Sequence, residues 1–157
     1  MRSNSLKSKA NFLLLGVSSV ALLGGCAQGM DPASLGRTVQ PVGMSVSLCD
    51  SGANGCIGGT AFQLSVIRDL GVAVDWKNVP GGTHTQQIAL VQPNGVVYQT
   101  VSHSFAVADN KIGAPKIDDV IPIAGTFITQ RNQVGEWTIQ VSLDGQTVGQ
   151  QSFEFAE

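Results

Sequence analysis

Apolar and polar residues alternate along much of the chain with the two-residue period of a β-strand. The clearest alternation is at residues 137–143 (WTIQVSL), where Trp, Ile, Val and Leu share one parity and Thr, Gln and Ser occupy the other. Successive side chains of a strand point to opposite faces of a sheet, so this segment predicts a strand with one buried and one solvated face. We therefore expect Trp137 to be buried between two sheets.

The same period predicts about seven or eight short strands. The predicted strands cover approximately residues 42–48, 62–67, 72–76, 86–91, 96–107, 120–130, 137–143 and 147–155. No segment after the first 26 residues predicts a helix. Many short strands separated by turn residues are typical of an all-β fold, and the pattern predicts an antiparallel sandwich at residues 41–157.

Turn residues separate these segments. Asn94-Gly95 predicts a hairpin turn, because both residue types accept positive φ angles. Residues 77–82, with Pro-Gly-Gly at their end, and residues 109–119, which are polar and contain Gly and Pro, are predicted as loops. Pro122 restricts its own segment to an edge strand or a bulge.

The first 26 residues show a different pattern. Arg2, Lys7 and Lys9 form a basic start, and residues 12–23 form a mainly apolar segment that is followed by small residues. This order is typical of a secretory signal, and so short an apolar segment does not cross a bilayer comfortably. The alternatives are a buried amino-terminal helix and a transmembrane anchor. The presence of all three parts in order favours the signal.

The sequence LGGC at residues 23–26 resembles the lipobox of bacterial lipoproteins. The resemblance implies diacylglycerol on the Cys26 sulfur, cleavage before Cys26 and a further acyl chain on the new amino group. Two or more acyl chains anchor a protein stably. The implied organisation is a signal peptide at residues 1–25, a lipidated end and flexible tether at residues 26–40, and a sandwich at residues 41–157.

The residues after Cys26 suggest a location. Residue 27 is Ala rather than Asp, which favours the outer membrane by analogy with the sorting rule of Gram-negative lipoproteins. Residues 27–40 lack periodicity and contain Gly, Pro, Asp and Ser, as is typical of a flexible linker. We therefore expect a lipid-anchored protein of the bacterial envelope, facing the periplasm or the cell surface.

The net charge of the chain argues against nucleic acid and acidic lipid as partners. Beyond residue 25 the chain has six basic and eleven acidic residues, a formal balance of −5. A surface for nucleic acid or acidic lipid would need clustered Lys and Arg, so we expect neither. Gly, Gln, Ser, Thr and Val are frequent and charged residues make up only 13% of the chain, as in exported β-rich domains.

Two cysteines remain once Cys26 is assigned to lipid. Cys49 and Cys56 are close in sequence, and an even remainder outside the cytoplasm predicts a disulfide. In the chain-entropy model, closing so short a loop stabilises the fold by about 2–3 kcal/mol. The alternative is a metal-binding or redox pair, but redox pairs are usually closer together and no further His or Cys lies nearby.

The last two predicted strands carry a second resemblance. The segments GEWTIQV, LDG and FEF, which begin at residues 135, 143 and 153, resemble the final hairpin of bacterial immunoglobulin-like and fibronectin type III-like domains. This resemblance covers about residues 60–157 and implies an immunoglobulin-like β-sandwich. Trp137 holds the position of the family's corner tyrosine, and Trp76 resembles its core tryptophan. An indole has no phenolic hydroxyl, so it cannot make the family's corner hydrogen bond in the usual way.

Few residues suggest reaction chemistry. His84 and His103 could share a metal or catalytic site, but the simpler interpretation is a loop imidazole and a strand imidazole with separate surroundings. Asp118 and Asp119, in the predicted loop at residues 109–119, could bind a cation such as calcium, although the spacing differs from the twelve-residue calcium loop. We expect no catalytic residue, no metal site and no cofactor.

A polar and mostly uncharged set of side chains is the remaining candidate for a binding surface. Its members are Asn78, Thr83, His84, Gln86, Tyr98 and Gln99. Such groups could bind a peptide or a sugar. The simpler interpretation is a solvated sheet face that discourages aggregation between sheet edges.

These observations favour a non-enzymatic, lipid-anchored envelope protein that presents a β-sandwich to a protein partner or a surface assembly. The alternative is a glycan- or peptidoglycan-binding lipoprotein. An envelope hydrolase that uses His84, His103 and the Asp118-Asp119 segment is less favoured, because the chain contains neither a Gly-x-Ser-x-Gly nor a His-Glu-x-x-His motif.

Overall fold

The computed structural model describes residues 40–52 and 55–157. Its elements are β1 (Gly43–Gly52), β2 (Gly55–Gly58), β3 (Ala61–Gln63), β4 (Asp69–Lys77), β5 (Val79–Val91), β6 (Val97–Gly113), β7 (Lys116–Pro122), α1 (Phe127–Gln130), β8 (Gly135–Leu143) and β9 (Gln146–Ala156). The predicted signal peptide, the lipidation site and all of the tether except Gln40 lie outside the described residues.

The strands form two sheets. One has the order β2-β1-β4-β7, and the other has the order β3-β9-β8-β5-β6. Neighbouring strands are antiparallel except β3 and β9, which pair in parallel. The predicted all-β sandwich of mainly antiparallel strands is confirmed.

Alternate residues of facing strands fill the space between the sheets. The largest fully buried apolar side chains are Trp76, Trp137, Phe155, Leu70, Ile88, Leu90, Ile121, Ile123, Ile128 and Ile139. Trp137 is 0% exposed, whereas Gln140 on the opposite face of β8 is partly exposed, so the predicted orientation of this strand is confirmed. Burying one large apolar side chain contributes about 1.5–3 kcal/mol, and these residues therefore dominate the stability of the fold.

The chain reaches β8 through a corner that retains a hydrogen bond. The indole Nε1–H of Trp137 donates to the backbone oxygen of Gln133, 3.1 Å away and four residues upstream. The corner tyrosine of immunoglobulin-type sandwiches donates its hydroxyl to the backbone a few residues upstream. At this corner the indole N–H makes the connection that a phenolic hydroxyl would otherwise make.

Trp76 is buried, as its resemblance to a core tryptophan implies, but its strand differs. It lies on β4, in the opposite sheet from the final hairpin β8–β9. In immunoglobulin domains the strand that carries the core tryptophan shares a sheet with the final hairpin. Trp76 therefore enters the core from the four-stranded sheet, and not from the sheet that contains the final hairpin.

The predicted strand at residues 62–67 is only partly correct. β3 ends at Gln63, whose backbone oxygen accepts hydrogen bonds from the N–H groups of Val66 at 3.1 Å and Ile67 at 2.9 Å. This turn breaks the two-residue alternation of a strand, since Leu64 and Ile67 are buried and Val66 between them is 62% exposed. Backbone hydrogen bonds within the turn take the place of further pairing with a neighbouring strand.

The two predicted loops are mostly strand. Residues 109–119 continue β6 to Gly113 and begin β7 at Lys116. At residues 77–82, Asn78 alone separates β4 from β5, and its φ of 57° turns the chain from one sheet into the other. Residues 109–119 pair with β5 and β4, and residues 79–82 pair with β6, so distant partners override the weak local preference for strand.

The predicted strand at residues 120–130 is wrong in its second half. β7 ends at Pro122, and α1 forms a single turn. Thr126 caps this turn, because its Oγ1 accepts a hydrogen bond from the N–H of Ile128 at 3.3 Å. Ile128 is fully buried, so the turn closes the core. One helical turn is too short to produce a recognisable helical period in the sequence.

The predicted disulfide between Cys49 and Cys56 is confirmed, with a Cα–Cα distance of 5.3 Å. The segment is a hairpin of β1 and β2, in which Cys49 lies opposite Gly58 and Cys56 lies opposite Ser51. The bridge therefore joins diagonal neighbours on one face. Gly71 lies beneath it, and a Cβ added there would be 2.6 Å from the Cys49 Sγ. Only glycine fits at that position of β4.

Candidate functional site

Four polar side chains form a connected set across the interior, which we call the cross-sheet network. The indole Nε1–H of Trp76 donates to Gln86 Oε1 at 2.7 Å, and Gln86 Nε2–H donates to Asp119 Oδ2 at 2.8 Å. His103 Nδ1 is 3.8 Å from the other carboxylate oxygen of Asp119. Trp76 and Asp119 belong to the four-stranded sheet, whereas Gln86 and His103 belong to the five-stranded sheet. The network therefore joins the sheets.

Gln86 is the central member of the network and is 0% exposed. A buried amide is tolerated only when its polar atoms are hydrogen bonded. Both ends of the Gln86 side chain are paired, the oxygen with Trp76 and the nitrogen with Asp119. Gln86 is therefore a structural connection and is not available to a ligand.

His84 is held by two acceptors. Its Nδ1 lies 2.8 Å from Asp144 Oδ2, and its Nε2 lies 2.9 Å from the backbone oxygen of Pro80. Asp144 also accepts a hydrogen bond from the N–H of Thr85 at 2.8 Å. When protonated, the imidazole donates from both nitrogens, so these contacts fix the β8–β9 turn to β5.

The electrostatics of this pair favour its charged form. The hydrogen bond to Asp144 raises the pKa of His84 above its ordinary value; burial opposes this effect and the bond to Pro80 adds to it. The hydrogen bond from His84, followed by that from the Thr85 N–H, lowers the pKa of Asp144. Each partner stabilises the charge of the other.

The two histidines do not converge on a common site. His84 is paired with Asp144, and His103 lies near Asp119. Asp118 points to the opposite face of β7 from Asp119 and lies 3.7 Å from the amine of Lys116. Within residues 40–52 and 55–157, no three His, Cys, Asp or Glu side chains are arranged to hold a metal ion.

The six residues proposed as a binding surface lie in different places. His84 and Gln86 are buried, and Thr83 is exposed on the outer face of β5. Asn78 donates from Nδ2 to the backbone oxygen of Pro41 at 3.1 Å. Tyr98 packs edge-to-face against Trp137, and Gln99 is half-buried opposite Leu90. These residues do not form one face.

A different set of side chains does form a continuous surface, which we call the hydroxyl–amide face. It covers the outer side of β5, β6, β8 and β9 and consists of Thr83, Thr85, Gln87, Thr100, Ser102, Ser104, Thr138, Gln140, Ser142, Gln150 and Ser152. Gln87 lies at its centre, opposite Ser102 on one side and Ser142 on the other. This face presents neutral donors and acceptors over four adjacent strands.

The charges near the hydroxyl–amide face lie at its margin. Glu136 and Glu154 are opposite each other on β8 and β9, where these strands approach β3. From Val79 to Ala108 the chain contains no Asp, Glu, Lys or Arg. The face could have been found in the sequence by selecting, on each strand, the parity opposite to the buried one. Thr83 is its only member among the six predicted residues.

Among the described residues, no helix has the length and apolar character needed to span a bilayer.

No family model and no curated protein matches the chain. Among solved structures, the chain is similar to a Pseudomonas fluorescens alkylpurine DNA glycosylase bound to DNA containing an abasic site analogue, with 13% identity and a TM-score of 0.48 over 74% of this chain and 30% of that one. It is similar to an immunoglobulin-like protein of Pseudomonas aeruginosa, with 14% identity and a TM-score of 0.41 over 76% of this chain and 99% of that one. It is also similar to a β-glucosidase of Kluyveromyces marxianus, with 12% identity and a TM-score of 0.42 over 65% of this chain and 15% of that one. At these identities the likenesses concern the fold alone.

Proposed function

We propose that this chain is a non-enzymatic, lipid-anchored protein of the bacterial envelope, and that its β-sandwich is an interaction module for a protein partner or a surface assembly. The observation that carries the proposal is the hydroxyl–amide face. It extends over four strands and is exposed or partly exposed throughout. A rigid sheet holds these groups in a fixed array, which lowers the entropy lost on binding.

The chemistry of the face suits a protein surface. Neutral hydroxyls and amides both donate and accept hydrogen bonds, so they can pair with donor or acceptor groups of a partner's backbone and side chains. Gln87 is exposed at the centre of the face, and its amide has only a weak contact of 3.4 Å with Ser102. Its hydrogen-bonding groups therefore remain available to a partner.

The polar groups inside the sandwich support a non-enzymatic role. His84 and Asp144 bind each other and the backbone, and Gln86 joins Trp76 to Asp119. An enzyme site brings reactive groups together around a space for substrate. These side chains instead connect strands to one another.

The lipid anchor is tested by replacing the modified cysteine. The full-length Cys26→Ala variant should lose incorporation of labelled fatty acid and partition into the aqueous phase of a detergent extraction, because it has no acyl chains. Ala27→Asp is the matched control and should keep the lipid, with a shift toward the inner membrane. Retention of Cys26→Ala on salt-washed membranes would contradict the anchor.

The interaction surface is tested with a photocrosslinking residue at position 87. In intact envelopes this variant should yield a discrete protein adduct that excess unlabelled sandwich competes away. The same residue at Ser47, exposed on the outer face of the four-stranded sheet, is the control and should yield no such adduct. Equal adducts from both positions would contradict a specific role for the face.

A glycan is the second candidate ligand, because hydroxyls and amides also match sugar hydroxyls. Binding of the sandwich to a glycan array or to purified peptidoglycan, abolished by Gln87→Arg, would favour it over a protein partner. The protein partner remains the leading proposal because the face contains no aromatic side chain on which a sugar ring could stack.

A further inference from the structure

The four outermost strands of the two sheets differ in how their edges are protected. Within the described residues, these strands are β2 and β7 in one sheet and β3 and β6 in the other. β2 and β3 are only four and three residues long, and β7 carries Lys116, Asp118 and Pro122. Short length, charge and proline are the features by which natural edge strands avoid pairing with other chains.

β6 has none of these protections over its first twelve residues. Residues 97–108 (VYQTVSHSFAVA) contain no Asp, Glu, Lys, Arg, Pro or Gly, and they are rich in residues that favour strands. Within the described residues β6 pairs only with β5. The ladder with β5 is regular over residues 99–107, and these nine residues offer an edge about 30 Å long with unpaired backbone donors and acceptors.

The inward side of β6 is also incompletely covered. Val101 and Phe105 point toward the core, opposite Ile88 and His84 of β5. Ile88 is fully buried and His84 is buried, whereas Val101 and Phe105 are only partly buried. A further strand beside β6 would place apolar side chains against both of them.

We propose that β6 is the docking site for β6 of a second copy of this chain. The two strands pair antiparallel about a two-fold axis through His103 and join two five-stranded sheets into one continuous sheet. Residues directly opposite each other in an antiparallel pair point to the same face. The two residues of each pair must therefore both have odd numbers or both have even numbers. With the axis at His103, the two residue numbers of every pair add up to 206, so this condition is met.

Side-chain chemistry favours this register. Val101 lies opposite Phe105 of the second copy, so the two-fold creates this β-branched–aromatic pair twice on the inner face. Ser102 lies opposite Ser104 on the outer face, again twice. Both are pairings that stabilise antiparallel sheets. The strand is therefore complementary to itself.

Charge does not oppose the pairing. The charged residues of β6 itself are Asp109 and Lys111, and both lie beyond Val107, where the regular ladder with β5 ends. The two His103 side chains meet at the axis, and each lies 3.8 Å from the carboxylate of its own Asp119. A two-fold contact uses the β6 edge of both copies, so assembly stops at a dimer.

Pairing through β6 requires neither the lipid anchor nor a ligand on the hydroxyl–amide face. Pairing uses the sheet edge and leaves that face open. In the dimer, Thr100, Ser102 and Ser104 of the two copies become adjacent. The face then continues from one copy into the other.

The test uses disulfide crosslinking of the full-length chain in the cells that export it, in whichever fraction contains it. In the His103→Cys variant, the two introduced cysteines are directly opposite, with Cβ atoms about 4.5–5.5 Å apart, and a disulfide can form. A dimer band on a non-reducing gel, absent from the unsubstituted chain, is expected. In the control variant Thr100→Cys the two cysteines are about 20 Å apart in this register, and no band is expected.

Paired lysines provide an independent test. Ser102→Lys/Ser104→Lys, added to His103→Cys, places like charges directly opposite each other and should reduce the dimer band at least tenfold. Both positions are exposed, so the melting temperature should change little. Gln150→Lys/Ser152→Lys, with the same charges and spacing on β9 of the same sheet, should leave the band intact.

Four results would overturn the proposal. They are the absence of a dimer band with His103→Cys, equal bands with Thr100→Cys, an adduct with a different protein, and a ladder of higher oligomers. Equal bands with Thr100→Cys would indicate random collision of the chains. An adduct with a different protein would indicate that another chain occupies the β6 edge. A ladder of higher oligomers would indicate open pairing without a two-fold axis.

Discussion

The two tryptophans are equally buried but are held by different kinds of contact. Trp137 packs edge-to-face against Tyr98 and Phe155, and its indole N–H donates to the backbone oxygen of Gln133. Trp76 donates to the side chain of Gln86, which depends in turn on Asp119. One contact is local and ends on the backbone, whereas the other passes through side chains of three strands.

The two kinds of contact should differ in how much stability is lost when the contact is removed. The carbonyl of Gln133 belongs to a partly exposed segment, so water can replace the indole there. The oxygen of Gln86 is enclosed in the core, where an unpaired acceptor keeps its full desolvation penalty. Trp137 should therefore matter mainly through its packing, and Trp76 through both packing and its hydrogen bond.

The largest expected effect is that of Trp137→Ala. Truncation of a buried tryptophan typically costs about 3–5 kcal/mol, compared with a total stability of about 5–15 kcal/mol. Urea denaturation of a 41–157 fragment should show a large fall in the midpoint or complete unfolding. Gln140→Ala, on the other face of β8, should change stability by no more than about 0.5 kcal/mol. Equal midpoints for the two variants would contradict the orientation of β8.

The second prediction compares Trp76→Phe with Trp137→Phe. Both substitutions keep an aromatic ring and remove the indole N–H, but only Trp76→Phe leaves a buried acceptor unpaired. We expect Trp76→Phe to be the more destabilising by about 1–3 kcal/mol. Urea midpoints of the two variants measure the difference. If Trp137→Phe were equally or more destabilising, the distinction between local and cross-sheet contacts would fail.

The third and smallest effect is expected at the His84–Asp144 pair, which like the cross-sheet network depends on side chains. Because the pKa of His84 is raised, its contribution to stability is full below the ordinary value of 6.5. That contribution is lost as the pH rises through the pKa of His84 in the folded protein. Because the pKa of Asp144 is lowered, its contribution to stability is full above the ordinary value of 3.8. That contribution is lost as the pH falls through the pKa of Asp144 in the folded protein. The pair therefore stabilises the fold most between about pH 4 and 6.5.

Asp144→Asn should accordingly lower the melting temperature more at pH 5.5 than at pH 8. The effect should be small, since the Asp144 side chain is 51% exposed and solvent weakens the ion pair. Asp118→Asn, at a carboxylate that is 70% exposed, is the control and should show little dependence on pH. A difference from the unsubstituted protein that is constant across this range would contradict the role of the ion pair.

The tryptophans also indicate how much could be predicted from the sequence. Alternation alone placed Trp137 in the core, because its neighbours of like parity are all apolar. The cross-sheet network left a weaker signal: Gln86 has the parity of Ile88 and Leu90, and Asp119 has that of the buried Ile121. A polar residue at an apolar parity predicts a buried polar group. Its partners are set by the packing of two sheets, which one sequence does not specify.

The boundaries of the strands were less predictable for a related reason. The segment at residues 109–119 is polar and contains Gly and Pro, so its local preference is for a loop. It forms strand because β5 and β4 supply hydrogen-bonding partners that are distant in sequence. The hydroxyl–amide face was missed because polar residues were grouped by nearness in sequence, not by parity.

The position of β1 has a mechanical consequence. Any force applied to the amino-terminal end of the described sandwich enters through β1, which lies between β2 and β4. β1 leaves the sheet only when its ladder of eight residue pairs with β4 opens. The disulfide keeps β2 attached to it during that separation. A protein pulled from this end is therefore loaded through an interior strand, and extension requires disruption of the sheet itself.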